Sequence, residues 1–310
     1  MKEIRKFICG LAAMLAIGIG VQQPLAAVKQ KKPNSHSSSP VDQLQKKRKI
    51  KKRIAPINQT ASPITYHGGP VVTKGVNVYY IWYGNWTGNT AVTILTDFMN
   101  HLSGSPWLNI DTTYYQTVNR VQTPVMNQVT LAGSCVDTYS QGSRLRDSSI
   151  TQIVQRAISK KLLPLDPKGA YFVLTSADVA ETSGFCTNYC GWHTYATIGN
   201  YKIPISFIGN SARCLSACAV QSTSPNNNAG ADGMVNIIAH ELAEIMNDPQ
   251  LNAWYDATGA ECADKCAWTF GTTYTAANGS KANVKLGTRD YLIQQNWVNT
   301  GAGGCVLHYP

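Results

Sequence analysis

Residues 234–248 read MVNIIAHELAEIMND, and this stretch narrows the fold more than any other. At about 3.6 residues per turn, His240, Glu244 and Asp248 stack along one face of a helix. Ile237, Ile238, Leu242, Ala243, Ile245 and Met246 cover the other faces. Polar groups on so apolar a helix are expensive to bury unless they share a partner, and a metal ion is the obvious one. The pattern predicts a helix that opens at Asp232 or Gly233 and is stopped by Asp248-Pro249.

The zinc-protease pattern H-E-x-x-H sets two histidines on the metal and uses the intervening glutamate as general base. Here the motif is H-E-x-x-E: His240 and Glu241 stand in place, and Glu244 occupies the position of the second histidine. A carboxylate can ligate Zn2+, so the motif is weakened but not abolished, and a more anionic ligand set makes the ion a weaker Lewis acid. Glu261 follows His240 by 21 residues, an interval like that of zincins with a downstream glutamate ligand. Asp248 lies two turns along the helix from His240, roughly 12 Å by rise, so Glu261 is preferred to it as third ligand. Asp264 comes next. The expected set is therefore His240, Glu244 and Glu261 on zinc, with Glu241 activating water. The alternative is a helix whose polar groups are satisfied by hydrogen bonds to the loop that follows.

Net charge is +10, which taken alone suggests a nucleic-acid binder. The distribution excludes that for the body of the chain. Residues 1–63 hold 13 of the 27 basic and two of the 17 acidic residues, leaving 14 against 15 from residue 64 onward. Lys2, Arg5 and Lys6 precede an apolar run over residues 7–21, with Ala26 and Ala27 behind it, so residues 1–27 read as a secretory signal peptide. The run is short for a membrane anchor, and no other stretch is apolar enough to span. Residues 28–63, with the block KKRKIKKR at 46–53, read as a disordered Lys-rich leader or linker. A pro-segment cut at the basic run, or a tether to anionic polymer, are the sharper alternatives. The remainder, 64–310, is long enough for a single domain.

Outside the signal peptide there are eight cysteines: 135, 186, 190, 214, 218, 262, 266 and 305. In an exported chain an even number reads as disulfides, holding residues 180–220 and the C-terminal part, although the connectivity stays open. Strands are expected over 76–83, 125–131 and 170–174, with one or two more over 198–208, near a sheet edge because of Pro204. Helices are expected over 89–102 and 148–161. After Pro249 the chain reads as irregular, anchored by Trp254, Tyr255, Trp268, Phe270 and Trp297. This order predicts an α/β (α+β) fold, a mixed β-sheet with packed helices and a loop-rich, disulfide-stabilised C-terminal part.

Other constellations are weaker. No G-x-S-x-G elbow supports a serine triad. Cys186 and Cys190 beside His193 imitate a Cys–His pair, but clustered cysteines favour bridges. Tyr79, Tyr80, Trp82, Tyr83 and Trp86 could line a carbohydrate platform, although a buried strand explains most of them.

Several stretches together resemble the phosphate-induced protein 1 / EXORDIUM family of secreted proteins. They are YHGGP at 66–70, VNVYYIWYGNW at 76–86, GFCTNYCGWH at 184–193, the Cys214/Cys218 pair, Asp232-Gly233-Met234, Asn247-Asp248-Pro249 and Asn252-Ala253-Trp254-Tyr255. The resemblance spans about residues 64–310. It implies an extracellular or cell-wall protein, associated in plants with growth and brassinosteroid responses, with no established biochemical activity. Two functions follow: a secreted zinc metallohydrolase acting on peptide or cell-wall polymer, or a non-catalytic extracellular protein with a structural or vestigial metal site.

Overall fold

A computed structural model describes residues 49–51 and 63–310; the expected signal peptide and most of the expected leader lie outside the described residues. Six strands form the main sheet: β1 (Lys49–Lys51), β2 (Val76–Tyr83), β3 (Val129–Asp137), β4 (Gly169–Thr175), β5 (Tyr189–Ile198) and β6 (Tyr201–Ile208). Their spatial order is β1-β5-β6-β4-β2-β3. The ladders β6–β4, β4–β2 and β2–β3 are parallel, and β5 turns back antiparallel onto β6. Every residue of Val78–Tyr83 and of Gly169–Thr175 is buried, as strands covered on both faces require. The fold is α+β with a mixed sheet, as the order of sequence patterns implies.

Three longer helices pack on this sheet: α1 (Ala91–Leu102), α2 (Asp147–Ser159) and α3 (Ala229–Asn247). In α1 the residues Ile94, Leu95, Phe98, Met99 and Leu102 recur at helical spacing and are buried, with α3 as neighbour. Helix α3 lies over β5 and β6, and all its residues except the first are buried. Its apolar sequence suits that place, since each fully buried Ile, Leu or Met contributes roughly 1.5–3 kcal/mol. The helix begins three residues earlier than the sequence pattern suggests. Asn228 caps it by accepting from Ala231 N at 3.0 Å, which adds a turn made of small residues. Gly233 lets that turn close on the segment 211–218, because a Cβ there would lie 2.6 Å from Ser211 Cβ.

Four expectations need correction. The strand expected at 125–131 starts at Val129 and runs to Asp137, while Val121–Pro124 forms a hairpin with Tyr115–Val118. Pro204 is not on an edge strand: β6 is interior, but its pairing with β4 starts at Ile205, so Pro204 stands where that ladder has not begun. Within the leader expected to be disordered, Lys49–Lys51 pairs antiparallel with β5. Three disulfides form, Cys186–Cys214, Cys190–Cys218 and Cys266–Cys305, while Cys135 and Cys262 stay free. Cys135 is fixed in β3, and Cys262 is buried against α3, where its sulfur accepts from Asn247 Nδ2 at 3.0 Å. Tyr79, Tyr80, Trp82, Tyr83 and Trp86 are all buried, so they form core and not a platform.

Candidate metal centre

Helix α3 sets His240, Glu241 and Glu244 toward β5 and the segment that follows the helix. Glu244 is the hub: one oxygen lies 3.1 Å from His240 Nε2, and the other lies 3.3 Å from Nδ1 of His193 on β5. His193 reaches the cluster through strand alternation, two residues after Gly191 on the same face. Gly191 admits the close approach of helix and strand, since a Cβ there would meet Ile237 Cγ2 at 2.5 Å and Glu241 Oε1 at 3.2 Å. Glu241 Oε2 lies 3.2 Å from His193 Nδ1, and Glu241 Oε1 makes no hydrogen bond.

Glu261 enters from the far side of a loop. Asp248 ends α3, and its Oδ1 accepts from the backbone N–H groups of Asn252 and Ala253 at 2.5 and 2.7 Å, folding the chain back. Glu261 is then the residue before a short helix, α4 (Cys262–Lys265), and its Oε2 lies 3.8 Å from His193 Nε2. Asp264 N donates to Glu244 Oε1 at 3.1 Å, and Asp264 Oδ1 is 3.6 Å from His240 Nε2. Thus His240, Glu241, Glu244, Glu261 and Asp264 are brought together. Asp248 is placed at the helix end, where its carboxylate holds a turn.

The orientation of His240 follows from its neighbour Gln294. Gln294 Nε2 donates to Ala263 O at 2.8 Å, so Oε1 of the same amide faces His240 Nδ1 at 3.2 Å. Nδ1 therefore carries a proton, and Nε2 is the nitrogen directed at the carboxylates, the one a metal ion would take in place of a proton. An oxygen that accepts from the other ring nitrogen is the usual support of a ligating histidine, and here the Gln294 amide oxygen takes that place. His193 is arranged in parallel fashion: Nδ1 faces Glu241 and Glu244, while Nε2 makes no hydrogen bond.

The charge count is the chemically decisive feature. Two histidines face four carboxylates, and among these six residues only Asp264 has an appreciable exposed fraction, 19% of its side chain. Even with both imidazoles protonated, the buried set keeps an excess of negative charge, which is costly without a cation. In the metal-free state protons do the balancing. Burial works to lower His193, but its bonds to Glu241 and Glu244 raise it to about 9. His240 is likewise pushed well up against burial, chiefly by the charge of Glu244. Burial raises Glu241 to about 7. Glu244 is held low, because the two histidines outweigh its burial. Two triads, His193–Glu244–Glu261 and His240–Glu241–Glu244, each offer ligand atoms within 4.8 Å of one another, so these buried His/Glu groups could hold a metal ion.

No local sequence pattern marks His193 and Gln294 as members of this centre. In sequence His193 stands beside Cys186 and Cys190, and both of those are consumed by disulfides. The available signal was a single histidine two residues after a glycine on an otherwise apolar, aromatic strand. Gln294 lies 54 residues from His240, and no local pattern singles it out.

A strand-rich α/β core, a fully buried helix with His-Glu spacing, and cysteine bridges flanking it define the class. Residues 64–291 match the family described as the phosphate-induced protein 1 conserved region, and the chain belongs to that family. Among curated proteins it is 32% identical to "Protein EXORDIUM-like 3" of Arabidopsis thaliana, over 76% of this chain and 80% of that one. It is also 32% identical to "Protein EXORDIUM-like 5" of the same plant, over 76% and 75%. "Protein PHOSPHATE-INDUCED 1" of Nicotiana tabacum is 29% identical, over 66% and 71%. No solved structure matches the chain significantly. Disulfides and these family names are consistent with an extracellular protein. Among the described residues no helix is long and apolar enough to cross a membrane.

Proposed function

We propose that the chain is an exported zinc-dependent metallohydrolase, a peptidase, built on the His/Glu cluster around α3. The observation that carries this is the buried excess of carboxylates, together with two histidine Nε2 atoms that face them without hydrogen bonds. His240, Glu244 and Glu261 would hold the ion, and the approach of His193 Nε2 to Glu261 adds a second imidazole to the donor set. Such N,O ligation suits Zn2+, which when bound supplies Lewis acidity and lowers the pKa of water. Glu241 is the base. Burial raises it to about 7, near working pH, and Oε1 is free of hydrogen bonds and able to take a proton. Gln294 holds His240 in the tautomer that presents Nε2.

One observation favours a second reading. His193, His240, Glu241 and Glu261 are fully shut from solvent, as expected of a structural metal site in a non-catalytic extracellular or cell-wall protein. Metal analysis of the wild type and Glu241→Gln separates the two. The peptidase reading expects both to retain zinc and only the wild type to cleave peptides, with a loss on the order of 10²-fold or more in the variant. Zinc without any hydrolysis selects the structural reading. Absence of zinc after growth in zinc-supplemented medium refutes both.

A further inference from the structure

The buried cluster around α3 offers more donor atoms than one small ion can take. Zn2+ binds four ligands at about 2.0–2.3 Å, so donor atoms on one ion lie roughly 3–4 Å apart. Glu244 meets that spacing twice, through different oxygens. Its Oε1 is 3.1 Å from His240 Nε2, and its Oε2 is 3.3 Å from His193 Nδ1. Each imidazole also meets a carboxylate that the other does not. Asp264 Oδ1 lies 3.6 Å from His240 Nε2, and Glu261 Oε2 lies 3.8 Å from His193 Nε2. The two triads of possible ligands, His240–Glu241–Glu244 and His193–Glu244–Glu261, share Glu244 and no other residue.

Two atoms in this cluster point to ligands that the protein itself does not supply. His193 Nε2 and Glu241 Oε1 belong to fully buried side chains and make no hydrogen bond. A buried polar atom left unmet costs on the order of 1–3 kcal/mol, and in a native structure it commonly marks a bound water or ion. The two atoms belong to different triads, so an ion at His240 alone leaves His193 Nε2 unmet. The inventory agrees. Two histidines and four carboxylates make up the donor set of the two-metal carboxylate sites found in helix bundles. Here a helix, a strand and a loop supply those donors, so the likeness is one of ligand chemistry and not of fold.

We infer that the cluster is a site for two divalent ions, with Glu244 as the carboxylate shared between them. The inference rests on the metal reading above and divides its donors. His240, Glu244 Oε1 and Asp264 would take one ion, beside the base Glu241, and His193, Glu244 Oε2 and Glu261 would take the other. The two positions differ in access. Asp264 has 19% of its side chain exposed, whereas the side chains of His193 and Glu261 are wholly buried. The ion at His240 is therefore the one that water and substrate reach, and the ion at His193 is enclosed, as structural metal sites are.

The test is the zinc content of the full chain, disulfides intact, loaded with zinc and freed of excess metal by gel filtration. Wild type should carry two zinc ions per chain, and His193→Gln and His240→Gln should each lose one of them, with folding checked by circular dichroism. A wild type with a single zinc overturns the two-ion inference and leaves the proposed hydrolase standing, whereas a wild type with none removes both. Two ions that survive in His193→Gln place the second one elsewhere and also overturn the inference. Manganese loading needs no variant. Two ions sharing a carboxylate lie about 3.5–4 Å apart, so a doubly loaded chain should give the electron paramagnetic resonance spectrum of a spin-coupled pair. A doubly loaded chain showing only isolated ions would refute the shared Glu244.

Discussion

With no metal bound, the stability of this protein should fall as pH rises from 6.5 to 9, and zinc held at the proposed site should abolish that fall. The reason lies in His193. Its bonds to Glu241 and Glu244 overcome burial and lift it from 6.5 to about 9 in the metal-free fold. A group whose folded pKa is raised binds its proton more tightly in the native state, so its contribution is complete below 6.5 and lost as pH climbs through 9. The shift corresponds to about 3 kcal/mol at most. For a domain of this size, that moves the melting midpoint by roughly 6–12 °C. Glu241 acts in the same direction at lower pH, its carboxyl pushed from 4.5 up to about 7 by burial. Zinc at the proposed site would replace the protons and bind better once they have left, adding about 4 kcal/mol at a thousandfold excess over Kd. The assay is thermal unfolding of chelator-treated and zinc-loaded protein at pH 6.5, 7.5, 8.5 and 9, disulfides intact, beside His193→Gln. A chelated wild type whose midpoint stays level or rises over that range would refute the reasoning. So would a His193→Gln variant that keeps the wild-type slope.

Three further outcomes are expected. Asp248→Ala should cost roughly 1–3 kcal/mol in urea unfolding, because two backbone donors at the end of α3 lose their acceptor, while zinc content stays at the wild-type level. Gln294→Leu should weaken zinc binding by about 10- to 100-fold in competition with a chromogenic chelator, since His240 Nδ1 loses the partner that fixes its tautomer. Gly191→Ala should lower the melting midpoint and the zinc affinity together, because its methyl would meet Ile237 Cγ2 at 2.5 Å and push strand and helix apart.

Periodic and local features carried the fold. The 3.6-residue rhythm of Ile94, Leu95, Phe98 and Met99, and the β-branched and aromatic run at 76–83, are written in neighbouring residues and appear in the structure where the patterns put them. The strand at 129–137 is hard to place from sequence because Gly133, Ser134 and the exposed alternate positions give it weak strand propensity; parallel pairing with β2 decides it. The disulfide map was equally out of reach, since the sequence permits many pairings and geometry selects three.

The candidate site divides along the same line. His240, Glu241 and Glu244 are one turn of one helix, so their mutual proximity is fixed by helical rise alone, and the sequence by itself determined it. Glu261 could be guessed from an interval, but Asp248 and Glu261 differ only in where the chain goes after Pro249. That path is set by the turn Asp248 holds and by the packing of Cys262 against Asn247. His193 and Gln294 come from a strand and a loop 47 residues before and 54 residues after His240 in the chain, and no sequence period links them. Only the tertiary structure could bring a second imidazole and an orienting amide to the carboxylates, because contacts between distant segments follow from how the sheet and helix pack and not from any local rule.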